Sequence, residues 1–126
     1  MNNNETIVNI NVQIKMFCNR WIQFTEPFHK LTNQQQLVVS ALLYQHYKIG
    51  QEVTNNKILW RSVFDYDTKL LIAEELNIKL SSLENIFTRL RVLKVIVDNR
   101  LHPSYIPKID KNFKNFKLIF NFNIVK

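Results

Sequence analysis

Hydrophobic residues recur with two different periods along this sequence, and the period changes twice between its ends. Residues 8–17 alternate between apolar and polar side chains, as do residues 116–125, and strict alternation predicts β-strands. Between them, apolar residues recur every three or four positions, which is typical of amphipathic helices. The pattern therefore predicts an α+β fold with a strand near each end. The alternating apolar residues are Val8, Ile10, Val12, Ile14 and Met16, and Phe116, Leu118, Phe120, Phe122 and Ile124.

The first helix signal is a capping box. Thr32 can accept a hydrogen bond from the backbone of Gln35, whose side chain can accept one in return from the backbone of Thr32. Apolar residues then fall on one helical face, and Gly50 is placed to end the helix. We therefore expect a helix over 32–48. Residues 51–64 fit either a short helix or a packed loop.

Two further helices are predicted close together in the second half of the chain. Asp67 is placed to cap a helix that runs through Leu76. Ser81 and Glu84 fit a second capping box, at the start of a helix over 81–94. Only a few residues separate the two helices, so we expect them to pack against each other.

The segment from Lys69 to Thr88 fits the helix-turn-helix template. Ala73 is the small residue that lets two helices cross closely. Four residues later, Asn77 takes the turn position, where a positive φ is needed and Gly is usual. Asn is the residue that best tolerates left-handed backbone after Gly. The apolar anchors expected around this turn are Ile72, Leu76, Ile78, Leu83 and Ile86.

With a leading helix, this helix pair and two predicted strands over 95–101 and 116–125, the region 31–125 resembles the winged helix-turn-helix family. In that family a Gly normally precedes the first wing strand, and Val95 stands there in this chain. The resemblance implies a winged helix with a C-terminal β-hairpin wing. The alternating segment near the N-terminus would add one further strand.

A single domain accounts for the whole chain, because 126 residues leave room for one sizeable core. We expect an N-terminal strand and extension over 1–30 and the winged-helix core over 31–126. Residues 64–68 and 99–103 also resemble segments of small, mostly uncharacterised winged-helix proteins of tailed bacteriophages.

The positive charge is concentrated at one end of the chain. The net charge is +7, yet residues 1–78 hold seven basic and seven acidic side chains, whereas residues 79–126 hold ten basic and three acidic ones. A one-sided basic distribution favours a polyanionic partner, either nucleic acid or an anionic membrane surface. A basic surface that only aids solubility is the alternative.

The family resemblance implies that the exposed face of the second helix of the pair enters the major groove. Asn85 can bind adenine or be a solvated surface residue, and Arg89 can bind guanine or a phosphate. Ser81 and Glu84 are expected to be engaged in the cap. Leu80 can contact a thymine methyl group or a protein partner. The candidate residues of this helix are Lys79, Ser81, Ser82, Asn85, Thr88 and Arg89.

The predicted wing loop is rich in lysine. Lys108, Lys111 and Lys114 recur every three residues, and Lys117 continues the spacing. A wing that touches the DNA backbone or the minor groove carries side chains of this kind, and a solvated loop is the alternative. The predicted DNA-binding residues outside the helix are Arg100, Lys108, Lys111 and Lys114.

The sequence contains no pattern that indicates catalysis, a metal or a cofactor. His29, His46 and His102 are scattered without metal-ligand spacing. Cys18 has no cysteine partner, and we expect it to be a small buried hydrophobic residue. P-loop, nucleophile-elbow and HExxH motifs are absent. We therefore predict a non-enzymatic protein.

We expect this protein to bind double-stranded DNA, as a phage-type transcriptional regulator or replication accessory factor. The alternative is a protein-interaction or virion assembly component on the same scaffold, which would form a homodimer or bind a phage protein through its terminal strands. The polar N-terminus and short apolar runs argue against a signal peptide or a membrane span. We expect no membrane partner, because no predicted helix combines a basic face with an exposed apolar one. The expected location is the host cytoplasm, or the virion under the alternative.

Overall fold

Helices dominate the architecture. The computed structural model describes residues 5–109 and 114–126, and within these ranges it contains six α-helices and one two-stranded antiparallel sheet. The fold is α+β, as the sequence predicts. The elements are α1 (Ile14–Phe24), α2 (Glu26–His29), α3 (Asn33–Gly50), α4 (Asn56–Val63), α5 (Tyr66–Glu75), α6 (Leu80–Val92), β1 (Ile96–Val97) and β2 (Arg100–Leu101).

The central helix α3 begins at the predicted capping box. The Thr32 hydroxyl accepts a hydrogen bond from the Gln35 N–H at 3.2 Å, and the Gln35 amide oxygen accepts one from the Thr32 N–H at 3.0 Å. Helices α1, α4, α5 and α6 and strand β2 all contact α3. Because neighbouring residues on several sides of α3 are buried, this helix forms the centre of the core. Its buried apolar residues are Val38, Val39, Leu42, Leu43 and Tyr47.

The predicted N-terminal strand over residues 8–17 is wrong, because α1 begins inside it at Ile14. Ile14, Cys18 and Ile22 lie four residues apart, so Ile14, the fourth residue of the alternating series, also begins a series with a helical period. Cys18 and Ile22 are fully buried in the core that α1 forms with α3. Residues 5–13 have no regular secondary structure.

Residues 51–64, which the sequence left undecided, contain α4. The Asn55 side chain caps this helix by accepting a hydrogen bond from the Ile58 N–H at 3.0 Å. Leu59, Trp60 and Val63 are buried, and they pack the helix against the core.

Two predicted caps of the helix pair are corrected by the structure. Asp65, and not Asp67, caps α5, because its carboxylate accepts a hydrogen bond from the Thr68 N–H at 2.8 Å. The capping box at Ser81 is not formed. Helix α6 begins one residue earlier, with Lys79 at the cap position and no side-chain cap, and the Glu84 carboxylate pairs with a lysine instead.

The predicted turn at Asn77 is confirmed, since this residue has a φ of 54°. The Asn77 N–H donates to the Glu74 carbonyl at 3.1 Å and the Ile78 N–H donates to the Ala73 carbonyl at 3.0 Å. This pair of bonds is a Schellman motif, which satisfies the last carbonyl groups of α5. Ala73 is buried, as expected for the residue where the helices approach each other.

A second Schellman motif ends α6. Lys94 adopts a φ of 62°, its N–H donates to the Arg91 carbonyl at 3.1 Å, and the Val95 N–H donates to the Leu90 carbonyl at 2.9 Å. The left-handed residue is therefore Lys94. Val95, which stands where the winged helix-turn-helix family has Gly, is buried in the core.

The hairpin that follows is much shorter than predicted. Ile96 pairs with Leu101 and Val97 with Arg100, and a two-residue turn joins the strands. Asp98 and Asn99 both have positive φ, at 53° and 54°, which is the geometry of a type I′ turn. The prediction of a wing that pairs residues 95–101 with residues 116–125 is therefore wrong. Residues 114–126 have no regular secondary structure.

Within the described ranges, no helix combines the length and the apolar character that crossing a bilayer requires.

Candidate nucleic-acid interface

Helix α6 has one buried face and one exposed face. Leu83, Phe87 and Leu90 are fully buried, at spacings of four and three residues. Ser81, Asn85, Thr88 and Arg89, all predicted from the sequence, are exposed on the other side of the helix. Packing of the apolar stripe against the core therefore turns this polar face toward solvent. Two further predicted residues lie near the start of α6. Lys79, directly before the helix, is exposed, whereas Ser82 is half-buried.

The exposed polar side chains differ in their free hydrogen-bonding capacity. The Thr88 hydroxyl donates to the Glu84 backbone carbonyl at 3.0 Å, so only its acceptor capacity remains for a ligand. Asn85 and Arg89 have no such bond within the described part of the chain. These two side chains are the best placed on α6 to form paired hydrogen bonds with a ligand.

The acid on this helix is neutralised by α5. The Lys69 ammonium lies 3.1 Å from a carboxylate oxygen of Glu84 and 5.8 Å from the centre of the Phe87 ring. The lysine is largely covered, so the pair is less screened than a fully exposed ion pair. This ion pair reduces the repulsion that Glu84 would exert on a polyanion. The capping box expected from the sequence would have had the same effect.

A basic cluster occupies the end of α6 and the adjoining hairpin. We define it as Arg89, Arg91, Lys94 and Arg100, all of which are exposed. The ion pairs among the described residues join Lys15 to Glu75 and Lys69 to Glu84, and none involves the basic cluster. The acidic residue nearest to this cluster in the sequence is Asp98, in the hairpin turn. The tight connection after α6 keeps these four cations on one helix and its hairpin.

Arg91 and Lys94 were not among the predicted site residues. The predicted base contacts lie in the first half of α6, and the phosphate contacts of the wing were expected mainly in the lysine-rich loop beyond residue 101. The spacing of basic residues at the end of the predicted helix was the available signal. In the structure the hairpin begins two residues after Lys94, so Arg91 and Lys94 lie directly before it in the chain.

The lysines predicted for the wing lie elsewhere. The hairpin ends at Leu101, so Lys108 and Lys114 are outside it, and Lys111 is outside the described residues. The segment that carries Lys108 is held by α1 and α3. The Trp21 indole N–H donates to the Tyr105 carbonyl at 2.9 Å, and the Tyr47 hydroxyl donates to the Pro107 carbonyl at 3.0 Å.

Lys114 also lies beside α1. It lines a cavity of about 250 Å³ together with Ile14 and Phe17 of that helix. Of the predicted residues outside α6, Arg100 alone among those described lies on the hairpin. The prediction that Lys108 and Lys114 belong to the wing is therefore wrong, because the hairpin closes before the chain reaches them.

Burial shifts the pKa of Cys18 and of His46, two titratable groups in or beside the core. Burial raises the pKa of the Cys18 thiol to about 12, so the reactive thiolate is scarce at neutral pH. Burial lowers the pKa of His46, whose ring stacks on Trp60 at 4.4 Å between centroids. Across residues 5–109 and 114–126, no three His, Cys, Asp or Glu side chains are grouped so that they can hold a metal ion.

Comparisons with protein-family models, with curated proteins and with solved structures gave no match to this chain.

Proposed function

We propose that this protein binds double-stranded DNA as a winged helix-turn-helix protein. The observation that carries the proposal is the exposed face of α6, which continues into a basic cluster free of ion pairs within the described residues. Polar groups that can form paired hydrogen bonds, followed by unpaired cations, are the two elements of DNA recognition: base contacts and phosphate contacts.

The winged-helix assignment is supported by element order and by one local geometry. The central helix α3 precedes the pair α5 and α6, and a β-hairpin follows the pair directly. Asn77 provides the left-handed turn that the helix-turn-helix template requires. The short hairpin, with Arg100 at its edge and Lys94 just before it, takes the place of the wing in this proposal.

The residues divide into two roles. Asn85 and Arg89 lie in the major groove, where Asn binds adenine and Arg binds guanine through paired hydrogen bonds. Lys79, Ser82 and Thr88 flank them. Arg91, Lys94 and Arg100 contact phosphates, and these contacts set affinity without selecting sequence. On this reading the protein is a transcriptional regulator or a replication accessory factor, acting in the cytoplasm of a phage-infected host.

The test is fluorescence anisotropy of a labelled duplex of random sequence, titrated with protein across a salt series. We expect dissociation constants in the range of about 1 to 100 µM near physiological salt. The variant Arg91→Ala/Lys94→Ala/Arg100→Ala, which removes the three proposed phosphate contacts, should bind more weakly. It should also lose up to about 2.7 from the slope of log affinity against log salt, at about 0.9 per phosphate contact.

The matched control is Lys108→Ala/Lys114→Ala/Lys117→Ala. It removes the same number of positive charges from exposed residues that lie outside the α6 hairpin. If binding depends on the basic cluster, the control keeps most of the slope. Equal losses in both variants would mean that net charge alone attracts DNA, and no binding at low salt would refute the proposal.

The second candidate is a non-catalytic interaction or virion assembly component. It is favoured by one observation, the apolar side chains exposed on the two terminal segments. Absence of DNA binding together with stable self-association would favour this candidate over the first.

A further inference from the structure

The two terminal segments of the chain lie along the same side of α1. We call residues 5–13 the N-terminal arm and residues 114–126 the C-terminal arm. Together they line a cavity of about 280 Å³ above Trp21 and Phe24. The apolar residues that they contribute to this cavity are Val8, Ile10, Val12, Phe116, Leu118 and Phe120.

Aromatic contacts attach the C-terminal arm to the helices. The Phe116 ring packs edge-on against Phe17 and Trp21, with centroid distances of 5.2 and 5.6 Å. Further along, Phe120 stacks on Phe28 at 6.2 Å. Beyond Phe120 the side chains of the arm pack little against the helices, since Phe122 is 86% exposed.

The backbone of both arms is available for pairing. Among the described residues, no backbone hydrogen bond joins residues 5–12 or 114–126 to another part of the chain. Backbone that is free of such bonds and carries alternating apolar side chains can pair with another strand. A β-strand with the same alternation would satisfy both the backbone and the apolar side chains of this region.

The arms and Phe28 expose a large apolar area. Burying an aliphatic side chain removes on the order of 100 Å² and burying an aromatic one about 150 to 250 Å². Scaled by their exposed fractions, the arms and Phe28 together present on the order of 800 Å² of apolar surface. That area equals one side of a standard interface. The residues counted are Ile7, Val8, Ile10, Phe28, Ile119, Phe120, Phe122, Ile124 and Val125.

We propose that the arms form a two-fold interface with a second copy of this chain. The two C-terminal arms pair as antiparallel strands centred on Asn121. In this register Phe120 lies opposite Phe122 of the second copy, and Leu118 lies opposite its Ile124. The unsupported end of each arm is then covered by the supported part of the other, next to Phe28.

The charges of the arm agree with this register. Lys117 lies opposite Val125 of the second copy, and Lys126 lies opposite its Phe116, so no lysine faces another lysine. A register centred one residue earlier, on Phe120, would place Lys114 opposite Lys126. Like charges directly opposite each other destabilise a strand pair, which favours the register centred on Asn121.

Oligomeric state tests the interface. Sedimentation of the full chain at about 100 µM should show a species of twice the chain mass, because interfaces of standard size bind in the micromolar range or tighter. Phe122→Asp/Ile124→Asp should raise the dimer dissociation constant about 30-fold or more, as the loss of a central apolar anchor does. Both side chains are almost fully exposed, so the circular dichroism spectrum should be unchanged.

Cysteine cross-linking tests the register. Asn121→Cys places two thiols opposite each other across the two-fold axis, whereas Asn123→Cys places them about 13 Å apart along the strands. We expect an oxidised dimer from the first variant and little from the second, with the native Cys18 buried in both. Equal cross-linking would overturn the register.

A monomeric wild-type chain at this concentration would overturn the interface, as would a double variant that remains dimeric. The proposal does not depend on DNA binding. A dimer that fails to bind DNA would refute the proposed function and leave the interface intact. A monomer that binds DNA would refute the interface and leave the proposed function intact.

Discussion

Replacing Lys94 by Gly should stabilise the protein, although it removes a side chain and a charge. Lys94 has a φ of 62° at the end of α6, a conformation that non-glycine L-residues rarely adopt. This chain has one Gly, Gly50, and it lies in α3, whereas Lys30, Asn77, Lys94, Asp98 and Asn99 occupy left-handed backbone. Lys94 cannot offset the strain as Asn can, because it has no short side chain that bonds locally.

The expected gain follows from two opposing contributions. Left-handed backbone costs a residue with a Cβ about 1 to 2 kcal/mol, and Gly removes that strain. The greater freedom of Gly in the unfolded chain costs about 0.5 to 1 kcal/mol. The net gain in the free energy of unfolding is therefore at most about 1.5 kcal/mol, with a middle value of about 0.75 kcal/mol that raises Tm by about 2 to 5 °C.

Urea denaturation of three variants isolates the conformational effect. Lys94→Ala removes the charge but keeps the strain, so it should not stabilise the protein. Lys48→Gly removes an exposed lysine inside α3 and should cost about 1 kcal/mol, the usual penalty of Gly in a helix. A Lys94→Gly variant as destabilised as Lys48→Gly would refute the reasoning.

Two further predictions concern buried titratable groups. Burial lowers the pKa of His46 below its ordinary value of 6.5. As pH falls below 6.5, the unfolded chain therefore binds a proton at His46 before the folded chain does. The free energy of unfolding decreases as a result. His46→Phe keeps a ring beside Trp60, and urea unfolding at pH 7.5 and 5.5 should show a smaller loss than in the wild type; equal losses would contradict this. Cys18, buried and with its pKa raised to about 12, should react with a thiol reagent at least about 1000-fold more slowly in the folded protein than in urea, and comparable rates would show that α1 opens readily.

The features that the sequence predicted correctly depend on local signals, although two other local signals, the caps at Asp67 and Ser81, were wrong. The capping box of Thr32 and Gln35 involves atoms three residues apart, and the left-handed turn at Asn77 depends on that residue and its immediate neighbours. The turn of the hairpin also had a local signal, because Asx residues at both Asp98 and Asn99 favour a type I′ turn. This signal favours a short hairpin, whereas the strands predicted over 95–101 and 116–125 made the wing far too long.

The candidate site was predicted in part, because the face of α6 depends on local periodicity and the position of the hairpin does not. The exposed face of α6 follows from the spacing of Leu83, Phe87 and Leu90, so Asn85 and Arg89 could be placed in advance. Arg91 and Lys94 were missed, and Lys108 and Lys114 were assigned to the wrong element. Which lysines accompany the helix depends on where the hairpin closes.

Periodicity and turn residues act over a few residues, and these determined the helix pair and its turn, while periodicity and the cap at Thr32 determined α3. Tertiary contacts decided the rest. Residues 14–17 fit both a strand and a helix, and burial of Cys18 and Ile22 in the core with α3 selected the helix. Glu84 could have closed a cap, but Lys69, fifteen residues away in sequence, neutralises it instead. Such choices depend on which distant side chains are brought together, because the free energy of burial belongs to the assembled core and not to any one segment.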